Sequence, residues 1–351
     1  MQGVYRGCEQ QGRISRRGRS DELKDRVVSG YRPSGRLHLG HYHGNLMNMI
    51  SLQETHECYF FVADWHALTT VYRDTSMMAG YSTEMVLDWY AAGLDPEKCT
   101  IYRQSDIGAI PELMLYFSMI TTLGELERCP TYKEQLRELD ARVVNTYGFL
   151  GYPVLMATDI LVVKAEKVPV GEDQVPHLEM TREIARRFNS YYGEIFPEPQ
   201  PLLSPSPRIP GTDGRKMSKS YDNCIGLEDA PSVIRDKVRR LITDPARVRR
   251  GDPGHPEVCS VFQLCSAYPS IDRVDLEGRC RKAEIGCTDC KDELSRVVAG
   301  ELEEFRERRA EVSVRPALAA EILHAGAQVV RPIASQSLEE AKAVLRLGPA
   351  G

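Results

Sequence analysis

The sequence predicts an α/β fold in which a parallel sheet is flanked by helices and followed by a smaller all-helical part. Three short apolar runs, at residues 27–30, 58–64 and 100–103, are typical of buried strands. Helical segments separate these runs, and the alternation of strand, helix and strand indicates a parallel sheet with helices on both faces. Beyond residue 221 the pattern is mostly helical. In such sheets ligands bind at the carboxyl ends of the strands.

The chain has the size and composition of a globular protein with two domains. It has 351 residues, of which 42% are hydrophobic and 27% charged, and a formal net charge of −5. This charge argues against nucleic-acid binding through bulk charge but leaves room for a local basic surface. No apolar stretch reaches the roughly 18 residues that a membrane span needs. Since no apolar signal segment stands at the N-terminus either, we expect a cytoplasmic protein without membrane contact.

The first elements follow one another in a regular order. Residues 1–26 are rich in Arg, Gly and Gln and are predicted to be a disordered extension. The strand at 27–30 leads into a Gly/Pro-rich loop at 31–40, and a helix is expected at 41–54. The second strand, at 58–64, ends on a carboxylate.

The middle of the chain continues the same alternation. We expect a helix at 81–93, the third strand at 100–103 and helices over 110–145. A further helix and strand are expected within 150–170, and another helix over 174–189. These elements extend the predicted sheet domain.

A Pro-, Ser- and Gly-rich segment at 197–214 is predicted to be a loop or domain hinge. After it, the clearest helices are expected at 233–242 and 294–310. The sequence therefore predicts a Rossmann-like domain over 27–222 and an all-helical domain over 223–347.

A histidine motif follows the first predicted strand. The sequence HLGH at 38–41 is expected at the start of a helix, where free backbone N–H groups and the positive end of the dipole favour phosphate. Its glycine lets a nucleotide come close, and its two imidazoles can donate hydrogen bonds to a phosphoryl group. Taken alone, the two histidines are equally compatible with metal ligands or ordinary surface residues.

A lysine motif stands much further along the chain. The sequence KMSKS at 216–220 follows a Gly-flanked segment at 211–215. Two lysines on a mobile loop suit a departing pyrophosphate, whose charge must be neutralised. The alternative for this motif alone is a solvated basic loop, but the two motifs in this order are highly specific together.

With these two motifs the chain resembles the class I aminoacyl-tRNA synthetases. The family's paired signatures, HIGH and KMSKS, match residues 38–41, with Leu in place of Ile, and residues 216–220. Several further stretches resemble the tryptophanyl branch of the family, namely residues 32–35, 63–67, 152–161 and 168–174. The resemblance extends from residue 27 to residue 347, which is nearly the whole chain.

The resemblance implies that L-tryptophan is activated with ATP to tryptophanyl-adenylate and transferred to the 3′ end of tRNA(Trp). The tryptophan carboxylate would attack the α-phosphorus directly, so no protein nucleophile is needed, and catalysis would come from positioning, charge stabilisation and Mg²⁺. Residues 27–222, with the KMSKS loop at 212–222, would form the catalytic domain. Residues 223–347 would bind the anticodon.

The resemblance also assigns site residues. Catalytic roles would fall to His38, His41, Lys216 and Lys219. ATP would contact Arg32, Ser34, Gly35, Gly40, His41, Gly171, Asp173, Lys216, Ser218 and Lys219. Tryptophan would contact Tyr152, Met156, Asp159, Val168, Val170 and Gln174. The family often has Gln at the position of Arg32, so the contact of Arg32 is open, and the two valines also suit a strand core.

Asp159 is the residue expected to recognise the indole N–H. It stands three positions after Met156, so the two side chains face the same way on a helix. A carboxylate among Ile, Leu and Val is costly to bury without a partner, and a site built to bond the indole N–H would disfavour phenylalanine. The alternative is that Asp159 caps a helix or pairs with a basic residue.

Four cysteines in the helical part have the spacing C-x20-C-x6-C-x2-C. They are Cys259, Cys280, Cys287 and Cys290, and four thiolates suit structural zinc or a [4Fe–4S] cluster. A subset of tryptophanyl-tRNA synthetases carries such a cluster with a similar spacing, which favours the cluster over zinc. The first interval is shorter here, so Cys265 is an alternative to Cys259. Scattered reduced cysteines are the remaining interpretation.

The tRNA side is less specific. Seven basic residues make the second domain locally positive, which suits phosphate contacts or a solvated helix face: Arg235, Lys237, Arg239, Arg240, Arg247, Arg249 and Arg250. A homodimer is implied by the resemblance alone. The rival functions are a tyrosyl-tRNA synthetase, a nucleotidyltransferase with a related histidine turn, and an inactive synthetase-like paralogue that binds tryptophan or RNA.

Overall fold

Five parallel strands form the centre of the molecule. The computed structural model describes residues 24–138, 144–171, 174–203, 209–315 and 317–347. The strands are β1 (Arg26–Tyr31), β2 (Glu57–Val62), β3 (Thr100–Arg103), β4 (Lys167–Val170) and β5 (Gln200–Leu203). They are ordered β3-β2-β1-β4-β5, and every neighbouring pair is parallel. The predicted α/β class and the Rossmann-like sheet are therefore confirmed.

Helices connect the strands and make up the C-terminal part. In the N-terminal part they are α1 (Leu39–His41), a π-helical turn (Tyr42–Leu46), α2 (Met47–Leu52), α3 (Asp64–Val71), α4 (Met78–Ala92), α5 (Ala109–Met119), α6 (Leu123–Arg128), α7 (Pro130–Glu138), α8 (Tyr147–Leu150), α9 (Tyr152–Val162) and α10 (Val175–Tyr192). Beyond the sheet they are α11 (Pro231–Arg240), α12 (Ser260–Cys265), α13 (Arg273–Arg281), α14 (Cys287–Glu301), α15 (Glu303–Ser313) and α16 (Ala317–Leu345). Among the described residues, no helix is long and apolar enough to cross a membrane.

The predicted loop at 197–214 was wrong in one part, because residues 200–203 form β5. This strand pairs with β4, with Pro201 opposite Val168. Proline lacks a backbone N–H and is tolerated in a strand that lies at the edge of a sheet, as β5 does. The prolines that indicated a loop therefore mark an edge strand instead.

Strand β1 begins one residue before the strand predicted at 27–30. Arg26 already belongs to β1, and Asp25 forms an ion pair with Lys167 at the start of β4. Residues 1–23 lie outside the described part of the chain. The predicted helix at 294–310 consists of two helices, α14 and α15, which divide at Leu302.

The two faces of the sheet pack against different helices. One face contributes Val27, Phe60 and Ile101 to a core that continues into the helical part through residues such as Leu264 and Leu294. The other face, alternating with the first along each strand, packs against α9, α10 and α16. The sheet and the helical part therefore share buried hydrophobic contacts, and the domain boundary at residue 222 stays a prediction.

The last helix returns to the sheet and covers its exposed edge. Helix α16 lies against β3, and a Cβ built on Gly326 would be 1.9 Å from the carbonyl oxygen of Ile101. Only a glycine permits so close an approach of helix to strand. Because unpaired edge strands invite association with other chains, this contact also protects β3.

We predict that Gly326→Ala strongly destabilises the protein. The added methyl group would overlap the backbone of β3, and overpacking of this kind typically costs about 1–3 kcal/mol or more. The free energy of unfolding, measured with urea, checks this.

Gly300→Ala is the matched control, because Gly300 is also in a helix but has no atom within 4 Å of the added Cβ. We expect this variant to be stabilised by roughly 0.5–1 kcal/mol through the alanine helix propensity. Equal stability changes in the two variants would contradict the close contact at β3.

Candidate active site

His38 caps the first helix with its own side chain. Its Nδ1 accepts a hydrogen bond from the backbone N–H of Gly40 at 3.1 Å, and the Nδ1 of His41 accepts from the His38 backbone N–H at 3.4 Å. The two rings stack with their centroids 3.8 Å apart. A Cβ on Gly40 would lie 3.0 Å from the His38 ring, so the turn requires a small residue there. The prediction that HLGH begins a helix is confirmed.

Both motif histidines are neutral near pH 7. Burial lowers the pKa of His38 to about 4, and the positive charge of Lys219 lowers it further. Burial, with His38 and the two motif lysines, lowers the pKa of His41 to about 2. Since each Nδ1 accepts a hydrogen bond, each Nε2 must carry the proton of the neutral ring. The two imidazoles therefore offer N–H donors without positive charge.

The lysine motif is folded around one buried amide. The backbone N–H of Ser218 donates to Asn223 Oδ1 at 2.8 Å, and Asn223 Nδ2 donates to Asp213 and to the Lys216 carbonyl oxygen at 2.7 and 3.2 Å. A Cβ on Gly211 would lie 2.2 Å from Asn223 Nδ2. Asn223 thus sets the shape of the loop, and sequence reasoning missed it because its partners give no local signal.

The two motifs meet in space. Lys219 Nζ donates to the carbonyl oxygen of Ser34 at 3.0 Å, in the loop before the histidines. Backbone bonds join the adjoining segments, from Leu39 N to Ile225 O at 3.0 Å and from Leu227 N to Leu37 O at 3.2 Å. Burial lowers the pKa of Lys219. Two lysines and two imidazole donors therefore converge at one helix start, which suits a polyphosphate.

Asp159 is buried on α9 and already has two partners. Gln104 Nε2 donates to both carboxylate oxygens at 2.8 Å, and His66 Nε2 lies 2.8 Å from Oδ2. Burial raises the pKa of Asp159, which hydrogen bonding and the charge of His66 oppose. Pairing with a basic residue, the alternative left open by the sequence, is therefore present.

Gln104 and His66 are site residues that sequence reasoning missed. Gln104 follows β3 and His66 follows β2, so each comes from the carboxyl end of a different strand. The side-chain oxygen Oε1 of Gln104 accepts from the Trp65 backbone N–H at 3.1 Å, which joins these two strand ends. His66 lies within the resembling stretch 63–67, which was the only signal available.

The other predicted contacts lie around this end of the sheet. Tyr152 Oη is 3.0 Å from His177 Nε2, whose Nδ1 is 3.1 Å from Gln174 Oε1, so the two residues predicted for the α-amino group are linked through a histidine. Met156 is half-buried. Val168 and Val170 lie on β4 and are buried in the hydrophobic core. Arg32 and Ser34 are exposed.

Two glycines and one carboxylate complete the predicted ATP contacts. Gly35 has φ +100°, a conformation that favours glycine, and Lys219 Nζ would lie 3.5 Å from a Cβ there. Gly171 directly follows β4 and is half-buried. Asp173 lies outside the described residues.

The four spaced cysteines lie in one region of the helical part. Burial raises the pKa of Cys290, and Cys265, Cys259 and Cys280 raise it further. Burial likewise raises the pKa of Cys280, to which Cys259 and Cys287 add. These thiols are therefore neighbours, yet within the described chain no three His, Cys, Asp or Glu side chains form a group that could hold a metal ion. In this conformation the cysteines do not provide a metal site.

Several basic residues of the helical part are engaged in ion pairs. Arg235 and Arg239 both face Asp292, and Lys237 Nζ is 2.6 Å from Asp229. The pairs of Arg235 and Arg239 are exposed and contribute little free energy, so these two side chains are able to exchange partners, whereas the Lys237 pair is half-buried. Their predicted phosphate contacts stay a prediction.

Comparison with known proteins gives a consistent family. Residues 21–303 match the family described as tRNA synthetases class I (W and Y). The chain is 48% identical over 326 residues to the tryptophan--tRNA ligase of Thermotoga maritima, covering 92% of this chain and 99% of the relative. It is 40% identical to that of Aquifex aeolicus, covering 92% of this chain and 100% of the relative.

Solved structures agree. The tryptophanyl-tRNA synthetase of Campylobacter jejuni, complexed with ADP and tryptophan, superposes with a TM-score of 0.80 at 33% identity, covering 92% of this chain and 100% of that one. A tyrosyl-tRNA synthetase from Archaeoglobus fulgidus, at 22% identity and a TM-score of 0.66, shares the fold.

We predict that His38 and His41 stay neutral in the folded protein down to about pH 5, because their pKa values are about 4 and about 2. Side-chain ¹⁵N shifts, assigned with His38→Asn and His41→Asn, measure this. Titration of either ring near its ordinary value of 6.5 would contradict it.

The same shifts make the folded protein less stable in acid. Between about pH 4 and 6.5 the unfolded state binds more protons at these rings, so stability rises with pH. We expect His38→Asn to flatten this part of the stability profile.

Proposed function

The chain belongs to the class I tRNA synthetases for tryptophan and tyrosine, and on this premise we propose how its residues carry out the reaction. It is an aminoacyl-tRNA ligase that activates L-tryptophan with ATP and transfers the tryptophanyl group to the 3′ end of tRNA. The bond from Lys219 to the Ser34 carbonyl oxygen carries the site assignment, because it joins the two phosphate motifs.

In adenylate formation the tryptophan carboxylate attacks the α-phosphorus and pyrophosphate leaves. We assign to His38 and His41 hydrogen bonds from their Nε2–H groups to phosphate oxygens, supported by the Nδ1 atoms being occupied as acceptors. Lys216 and Lys219 neutralise the departing pyrophosphate. ATP enters with Mg²⁺, as is typical of the family. Proximity and fixed charge then supply the rate enhancement without a protein nucleophile.

The remaining ATP contacts are proposed from the loops around this centre. The glycines have no side chain that would keep the nucleotide away from the backbone. Ser218 holds the lysine motif next to the nucleotide. The proposed set is Arg32, Ser34, Gly35, Gly40, Gly171, Asp173 and Ser218.

Tryptophan recognition rests on Asp159. A carboxylate offers roughly four lone-pair positions, and Gln104 and His66 use three, so Asp159 Oδ1 retains capacity for the indole N–H. Rejection of phenylalanine follows, because its ring would leave this buried acceptor position unpaired. The ring walls and the α-amino contacts are assigned to Met156, Val168, Val170, Tyr152 and Gln174.

We predict that the protein catalyses ATP–pyrophosphate exchange with tryptophan and not with tyrosine. Lys219→Ala should reduce kcat about 10²–10³-fold, the usual effect of removing one transition-state charge contact. Steady-state exchange kinetics measure both.

Lys98→Ala is the matched control, since Lys98 is an exposed lysine at the amino end of β3 that forms an ion pair with Glu54. It should keep wild-type kcat. Exchange with tyrosine alone would indicate the tyrosyl branch, and absence of exchange with either amino acid would indicate an inactive paralogue.

We further propose that Cys259, Cys280, Cys287 and Cys290 bind a [4Fe–4S] cluster, with structural zinc as the alternative ligand. The spacing and the closeness of the thiols support this, although their side chains would have to turn toward one centre. Cys265 is fully buried next to this group and is the alternative to Cys259. The bound centre would stabilise the helical part, because metal binding is coupled to folding.

We predict iron and sulfide in anaerobically purified protein, with loss of both in Cys287→Ser. Cys58→Ser is the control, because Cys58 lies on β2, away from the four spaced thiols. Metal analysis and absorbance spectra provide the measurement. Zinc without sulfide would support the alternative, and neither metal would refute the proposal.

A homodimer in the cytoplasm is the proposed assembly and location. Support for an interface comes from exposed apolar side chains near the α5–α6 turn: Leu115, Met119 and Leu123 are 51%, 73% and 64% exposed. Leu115 and Met119 are one helical turn apart and so form a stripe that a second copy could cover. The anticodon-binding role of residues 223–347 is proposed on the family alone.

A further inference from the structure

A buried arginine joins the helical part to the catalytic sheet domain. Arg309, on α15, donates from Nε to Asp88 Oδ1 at 2.7 Å and from its second terminal nitrogen to Glu84 Oε2 at 2.5 Å, both on α4. Its Nε also forms an ion pair with Glu228 Oε1 at 3.2 Å. Ser313 accepts from its first terminal nitrogen at 2.8 Å, so the guanidinium is surrounded by partners.

Asp88 also accepts a hydrogen bond from the loop that precedes the histidine motif. Its side chain is 1% exposed, and its Oδ2 accepts from the backbone N–H of Leu37 at 3.2 Å. Leu37 directly precedes His38. The position of the helix start is thus fixed by a carboxylate that Arg309 itself holds.

Glu228 belongs to a second segment that also binds Leu37. It follows Leu227, whose backbone N–H donates to the Leu37 carbonyl oxygen at 3.2 Å. Both backbone groups of Leu37 are therefore held by segments that end on Arg309. The segment that contains Glu228 follows the lysine motif in the chain. One guanidinium therefore holds a segment next to each of the two phosphate motifs.

This arrangement differs from a surface ion pair. The Arg309 and Asp88 side chains are 6% and 1% exposed, and a buried charge without its partner is strongly unfavourable. Removing the guanidinium would leave the buried Asp88 carboxylate without its ion-pair partner and close to Glu228, whose Oε2 would keep its pair with Arg36. The segments that Arg309 holds would therefore shift.

We propose that Arg309 is a positioning residue for adenylate formation: it sets the alignment of His38 and His41 with the lysine motif from within the helical part. The proposal rests on the proposed function of these motifs. A displacement of about 1 Å at a reacting centre can lower the rate about 10²-fold, even when the change is far from the chemistry. Tryptophan affinity should not change, because Asp159 and its partners lie on other elements.

The test is single-turnover adenylate formation by the full-length protein, with rates referred to active sites counted by the adenylate burst. We expect Arg309→Gln to lower the rate about 10–100-fold, with KM for tryptophan within about twofold of wild type. Arg309→Lys, which keeps the charge but loses the fork, should recover part of the rate.

The matched control is Arg308→Gln, at the neighbouring residue on the same helix, whose exposed guanidinium pairs with Glu304. It should react at the wild-type rate. If circular dichroism shows that Arg309→Gln folds poorly, Asp88→Asn gives the same readout. The side-chain amide oxygen of the new Asn still accepts from the Leu37 backbone N–H, but the ion pair with Arg309 is lost.

A rate per active site equal to wild type in Arg309→Gln or Asp88→Asn overturns the proposal, since the residue would then act on stability alone. A loss that appears in KM for tryptophan and not in the rate overturns it as well. Absence of tryptophan-dependent exchange in the wild type would instead overturn the proposed function.

Discussion

Two backbone hydrogen bonds, Leu39 N to Ile225 O and Leu227 N to Leu37 O, are the constraint on which the site depends. They pair two segments that are far apart in sequence, and each segment is the direct continuation of one phosphate motif. Closing so long a loop is entropically unfavourable. It is offset by the shared hydrophobic core beneath, to which Leu37, Leu39, Ile225 and Leu227 all contribute.

The sequence predicted what is locally encoded and missed what is assembled across distance. The place of HLGH at a helix start is encoded locally, by the strand and the Gly/Pro-rich loop that come directly before it. Gln104 and His66 gave no local signal, because their partner Asp159 lies on α9, far along the chain. Their roles follow only from the carboxyl ends of β2 and β3 lying side by side near α9. Asn223 lies outside the KMSKS motif, and its contacts with Asp213, Lys216 and Ser218 follow only from the folded loop.

The errors at the sheet edges have the same origin. Pro201 predicts a loop by its own preferences, and only its position in the outermost strand makes a strand compatible with it. No role was predicted for Gly326, and its importance follows only from the contact of its helix with β3. In both cases the neighbouring element, and not the local sequence, decided the structure, which is how tertiary contacts override propensity.

The site contains two kinds of hydrogen-bond donor, neutral imidazoles and charged lysines. Charged imidazoles beside two lysines would repel one another, and holding them together would cost free energy. Burial keeps His38 and His41 neutral and so removes this electrostatic cost. Neutral N–H donors still stabilise charge developing on phosphate oxygens. Positive charge is then supplied by Lys216 and Lys219, on a loop bonded to the helix start through Lys219 and shaped by Asn223. Because the cations and the neutral donors are on separate segments, their mutual alignment depends on whatever fixes the two segments to each other.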